Sequence, residues 1–157
     1  MLNVSQVREL VVRRALQALD PAVPYSLAAE NLLVGTALQE SRLTYLRQLG
    51  SGPARGIFQM EPATHDDLRD WARKSKPAIN GRLEWLTAVS PSALEQLTTN
   101  LLYAAAMARL KYYRSPQVIP AADDIDGLGR FYKSIYNSPL GAGTAEEFVS
   151  NYQRYAL

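Results

Sequence analysis

The sequence predicts an all-α protein, and two observations lead there. Apolar residues recur at helical spacing in segment after segment, and nowhere do Val, Ile and Thr alternate long enough to mark a strand. The first helix is expected over residues 3 to 19, with Val4, Val7, Val11, Ala15 and Ala18 on one face and Asp20-Pro21 as its stop. Ser26 is placed to cap a second helix, residues 27 to 41, which is apolar on almost every side and therefore central. Residues 48 to 60, QLGSGPARGIFQM, hold three glycines and a proline and predict a tight loop with room for a minimal β-hairpin.

A third helix opens at EPATHDDLRDWAR, where Pro62 suits the first helical position and Asp66 and Asp67 fall in the early turns. A short helix is expected around residues 80 to 88. SPSALEQLTTNLLYAAAMARLKYYR predicts the longest helix, with Pro91 near its start, a Ser92-x-x-Glu95 box and Leu94, Leu97, Leu101, Ala105 and Ala108 down one face. A further helix carries Ile125, Leu128, Tyr132 and Ile135. NSPLGAGT, residues 137 to 144, then breaks the chain. The last helix begins with a Thr144-x-x-Glu147 box and turns Phe148 and Tyr152 inward.

With 157 residues the chain has the length of one domain, residues 1–157, in which the N-terminal helix and linker (1–25) pack on the remainder. Its 47% hydrophobic and 20% charged content are those of a globular protein. A net charge of +2, with no helix concentrating Lys and Arg on one face, argues against nucleic acid as a partner. The absence of cysteine excludes disulfides, thiolate chemistry and Cys-based zinc sites. No apolar run reaches the roughly 18 residues of a membrane span, so no stable insertion is expected. Arg8, Glu9, Arg13 and Arg14 interrupt the N-terminal apolar run, so no secretory signal is expected there.

Glu40, at the end of the apolar second helix, is the leading candidate for chemistry. A carboxyl beside apolar walls has its charged form disfavoured and can hold a proton near neutral pH, and a helix C-terminus pushes the same way. The alternative is a rim salt bridge from Glu40 to Arg42, Arg47 or Arg55. His65, the one histidine, shares a helical face with Glu61 and adjoins Asp66, but one His with carboxylates is a weak metal pattern, and a packing role is favoured. Neither metal nor cofactor is expected. Most of the late tyrosines stand at helical spacing and read as packing; Tyr136 stands apart because it precedes a Gly/Pro loop.

Glu40-Ser41 followed by Gly56-Ile57-Phe58-Gln59-Met60 resembles the paired signatures of the lysozyme-like lytic transglycosylases, a helix-terminal Glu-Ser and a Gly-x-x-Gln-Met/Ile segment along a sugar cleft. Asn100 through Tyr112 looks like that superfamily's Asn-led, Ala-rich helix, and Tyr136-Asn137 looks like its late Tyr-Asn. GPARGIFQMEPATHDD looks more like phage-encoded wall-degrading proteins than cellular ones.

The resemblance implies the lysozyme-like fold shared by these transglycosylases and goose-type lysozymes. It also implies cleavage of the β-1,4 bond between N-acetylmuramic acid and N-acetylglucosamine in peptidoglycan. Glu40 would be the acid/base, and Ser41, Phe58, Gln59, Met60, Tyr136 and Asn137 would bind substrate or position the carboxyl. The partner would be the glycan strand, met at lysis or from a virion among other virion proteins, with delivery by the phage in place of a signal peptide. One carboxylate suffices for transglycosylation. Inverting hydrolysis needs a second to activate water, for which Glu61, Asp66, Asp67 and Asp124 are the candidates. An inert phage structural module of the same fold is the remaining alternative.

Overall fold

The computed structural model describes residues 1–137 and 140–157; Ser138 and Pro139, inside the predicted break at 137–144, lie outside the described residues. Helix makes up 64% of the structure and no sheet is present among the described residues, which establishes the all-α class. In place of a hairpin, the loop after the second helix carries two isolated antiparallel bridges, Arg47 with Arg55 and Arg55 with Met60.

Helix α1 begins at Val4–Gln6, widens into a π-type stretch at Val7–Val12 and continues as Arg13–Leu19. The wide turn resets the buried face. Val7 and Val12, Ala15, Leu16 and Leu19 are buried, while Val11, expected in that stripe, is only partly covered. Helix α2, Leu27–Ser41, starts as expected, the Ser26 hydroxyl accepting from the Ala29 N–H at 3.0 Å. Every residue from Ala29 to Leu38 is buried, which explains its lack of a polar face.

Helices α3 (Pro62–Ser75) and α4 (Pro77–Leu86) both place proline in the first turn, where its missing N–H costs nothing. The single long helix predicted next is two helices, α5 (Ala93–Thr99) and α6 (Leu101–Tyr113). Asn100 makes the break. Its backbone is extended, its Oδ1 accepts from the Tyr103 N–H at 3.1 Å, and its Nδ2 donates to the Leu86 carbonyl at 2.9 Å. At the start of α5 the Ser92 hydroxyl accepts from the Glu95 N–H. The reciprocal half of the expected box is a hydroxyl-to-carboxylate contact between the same two side chains.

Helix α7 runs Ile125–Tyr132, capped by Asp124, and continues as a π-type turn, Lys133–Asn137. Helix α8, Ala145–Tyr155, has the complete Thr144–Glu147 capping box and buries Phe148 and Tyr152.

Two apolar clusters share α6 as a wall. One gathers α1, α2, α7, α8 and the loop residues Ile57 and Phe58 against Ala104, Ala105, Ala108 and Tyr112. The other sets Met60, α3, α4 and Leu97 against Tyr103, Ala106, Met107 and Leu110 on the opposite side. Helix α8 lies so close on α2 that a Cβ at Gly35 would stand 2.1 Å from Phe148 Cζ. No helix among the described residues is long and apolar enough to cross a membrane.

Candidate functional site

A cleft of about 810 Å³ opens where the C-terminus of α2, the loop before α3, the end of α6 and the π-type turn of α7 converge. Its walls include Glu40, Gln59, Glu61, Lys111, Tyr132, Tyr136 and Asn137. Tyr132 stands 92 residues from Glu40 along the chain, so only the fold assembles the site.

Glu40 forms no ion pair with Arg42, Arg47 or Arg55 among the described residues, contrary to the salt-bridge alternative. Its Oε1 instead accepts from the Tyr132 hydroxyl at 2.6 Å. Burial pushes the Glu40 carboxyl above its usual range, and the hydrogen bond from Tyr132 and the nearby Lys111 charge only partly offset it. Oε2 accepts no protein hydrogen bond among the described residues, so one oxygen is held and the other stays open to a proton. Tyr132 is itself fixed. Asn137 Nδ2 donates to its hydroxyl at 3.2 Å, a five-residue spacing that the π-type turn brings onto one face.

The loop segment Gly56–Met60 reaches the cleft through tight backbone geometry. Gly56 has φ of +74°, and a Cβ there would meet the Leu97 carbonyl oxygen at 1.9 Å, so only glycine fits. Gln59 has φ of +46°, and its Nε2 donates to the Gly56 carbonyl at 2.8 Å. That leaves Oε1 with no protein donor among the described residues. Past the end of α2, its C-cap Arg42 and the following Leu43 also take left-handed backbone, with φ of 49° and 52°.

Three expected substrate-binding residues lie beneath the cleft. Ser41 is buried and its hydroxyl is fully engaged. It donates toward the Ile57 carbonyl at 2.7 Å and the Ala37 carbonyl at 3.1 Å, and accepts from the Leu43 N–H at 3.1 Å. It ties the loop to the end of α2 and does not line the cleft. Phe58 and Met60 are buried on the two sides of the core. Phe58 contributes its carbonyl, which accepts from the Tyr136 hydroxyl at 2.8 Å. Gln59, Tyr136 and Asn137 do line the cleft with Glu40.

Lys111, Tyr45 and the Tyr132 hydroxyl are what sequence reasoning missed. Lys111 Nζ donates to the Tyr136 carbonyl at 2.6 Å and sits 4.1 Å from the centroid of that ring. Burial lowers its pKa, while Glu40 and Glu61 pull it back up. Its place at the end of an apolar helix, two residues after an arginine, gave no local signal. Tyr45 is a half-exposed aromatic on the cleft wall. The late rings, Tyr112, Tyr132, Tyr136 and Tyr152, form a buried stack with Phe131 and Phe148 behind Glu40.

Of the four candidate second carboxylates only Glu61 lines the cleft. Asp66 contacts His65, Asp67 pairs with Arg114, and Asp124 caps α7. His65 is buried between Asp66 and the Tyr103 hydroxyl, each at 2.8 Å, the packing role expected for it. Asn100 caps α6 away from the cleft. Among the described residues no group of three or more His, Asp or Glu side chains is arranged to hold a metal. Comparison of the chain with protein-family models, curated proteins and solved structures returns no match.

Proposed function

We propose that this chain is a peptidoglycan glycosidase of lysozyme-like fold, encoded by a phage, that cleaves the β-1,4 bond between N-acetylmuramic acid and N-acetylglucosamine as a lytic transglycosylase. The observation that carries the reading is Glu40: a carboxyl with raised pKa on a cleft wall, one oxygen held by Tyr132 and the other open. The resemblance of Glu40-Ser41, Gly56–Met60 and Tyr136-Asn137 to the transglycosylase signatures supplies the substrate class.

In this reading protonated Glu40 gives its Oε2 proton to the glycosidic oxygen as the bond from C1 of the muramic residue breaks, and positive charge builds on that ring. Tyr132 donates throughout to Oε1 and steadies the carboxylate that forms. Glu40 then takes the proton from the same sugar's 6-hydroxyl as that oxygen bonds to C1. An anhydro ring closes, and Glu40 ends protonated as it began. Gln59 offers a free carbonyl oxygen to a sugar hydroxyl or amide, and Tyr45 offers a ring face.

Glu61 on the same cleft favours one second reading, inverting hydrolysis with Glu61 activating water. Release of soluble fragments from purified peptidoglycan by the wild type, Glu40→Gln and Glu61→Gln tests both. The first reading predicts a loss of about 10²–10⁴ for Glu40→Gln and retained activity for Glu61→Gln. Equal losses in both variants would favour hydrolysis. No release by folded wild type from several wall types would refute the enzyme and leave a structural module of the same fold.

A further inference from the structure

A second cavity, of about 490 Å³, lies between the start of α2 and the segment after α6, and Arg109 is on its wall. Arg109 is only 7% exposed, and among the described residues its Nε is buried without a hydrogen-bond partner and its side chain makes no ion pair. The Tyr113 ring, 5.4 Å away, is its sole charge-compatible contact. A buried guanidinium N–H without an acceptor is costly, and proteins tend to retain one where something pairs with it. Contrast Glu30 nearby, buried too but satisfied by Arg8, Arg13 and Tyr25.

The same wall carries the N-terminus of α2. Ser26 commits its hydroxyl to the Ala29 N–H and its carbonyl to the Glu30 N–H, and among the described residues the N–H groups of Leu27 and Ala28 have no protein acceptor. Free N–H groups at the positive end of a fifteen-residue helix favour an anion. No Asp or Glu lines the cavity, while Pro24, Val118, Ile119 and Pro120 give it apolar walls.

We infer that this cavity binds a carboxylate carried on a small apolar body, its two oxygens on Arg109 and its tail against Val118 and Ile119. A planar guanidinium matches a carboxylate in shape, and one full cation suits one negative charge better than the two of a phosphate. The volume is that of a small-molecule pocket. A free aliphatic acid and the C-terminal residue of a peptide share this chemistry.

The test is titration of the full chain with hexanoate, hexanamide, N-acetyl-alanyl-leucine and inorganic phosphate, followed by calorimetry and by the NMR signal of the Arg109 Nε–H. Hexanoate binds and shifts that signal, and hexanamide does not. Arg109→Met loses about tenfold or more in affinity, the loss of charge-assisted hydrogen bonds. Ala28→Phe, which keeps Arg109 but fills the space beside it, also loses binding and serves if Arg109→Met fails to fold. Tighter binding of the dipeptide than of hexanoate assigns a peptide C-terminus, and weaker binding assigns a free acid. Phosphate binding as tightly as hexanoate, binding untouched by both variants, or no binding by either carboxylate overturns the inference.

Discussion

Replacing Glu40 by Gln stabilises the folded protein at neutral pH, by an amount that grows with pH. Burial holds the Glu40 carboxyl above its ordinary value of 4.5. A group whose pKa is raised on folding contributes stability that is complete below its unfolded pKa and is lost as pH rises through its folded pKa. Glutamine keeps an oxygen to accept from Tyr132 but never ionises, so it escapes that loss. The difference is therefore nil near pH 3 and opens above about pH 4.5, by at most about 1.4 kcal/mol per pH unit. It levels off once Glu40 is ionised in the fold. For a chain of this size 1 kcal/mol moves the melting point by about 2–4 °C, so Tm of the variant gains at most about 3–6 °C on the wild type per pH unit before the plateau. Thermal unfolding of both proteins at half-unit steps from pH 3 to 8 measures it. A variant no more stable than wild type at pH 8, or a gap that widens toward acid, would refute the claim that the cleft holds this carboxyl in an unfavourable charged state.

Other outcomes follow from the same contacts. Tyr132→Phe removes the hydrogen bond Glu40 accepts and raises the carboxyl further, so side-chain ¹³C titration of Glu40 moves to higher pH. Glu30→Ala removes the buried carboxylate that Arg8, Arg13 and Tyr25 hold together and lowers the urea midpoint at pH 7. Because the arginines and Tyr25 hold Glu30 below its usual pKa despite burial, its contribution is present above about pH 4.5 and fades as pH falls through the folded value, so the gap to wild type narrows in acid. Gly56→Ala combines a left-handed backbone with a collision at the Leu97 carbonyl and lowers stability by about 2 kcal/mol or more, read from the urea midpoint. Ser41→Ala leaves the Ile57 carbonyl without its hydroxyl donor and costs about 1–3 kcal/mol in the same assay.

The features legible in the sequence were those set by neighbours along the chain. Ser26 as a cap, proline opening α3 and the Thr144–Glu147 box depend on groups within four residues, and all are present. The break at Asn100 depends on the Leu86 carbonyl, which stands fourteen residues away and draws the Asn side chain into a cap that helical spacing could not announce. The π-type turn in α1 likewise moves Val12 inward in place of Val11 through packing, not propensity.

At the cleft, Glu40 was visible because a carboxylate ending an apolar helix is locally anomalous. Lys111 and Tyr132 were not, since a lysine or tyrosine near a helix end is ordinary until the fold sets it against Glu40. Ser41, Phe58 and Met60 carried the motif's residue types but serve it from below, as staple and core, because side chains adjacent to Glu40 and Gln59 point away from the cleft when those two point in.

The most direct test of the account is the mass of the fragments released from purified peptidoglycan. Wild-type protein should release 1,6-anhydromuramyl products, and folded Glu40→Gln should release none. Fragments one water heavier, or the same fragments from both proteins, would contradict a lytic transglycosylase built on Glu40.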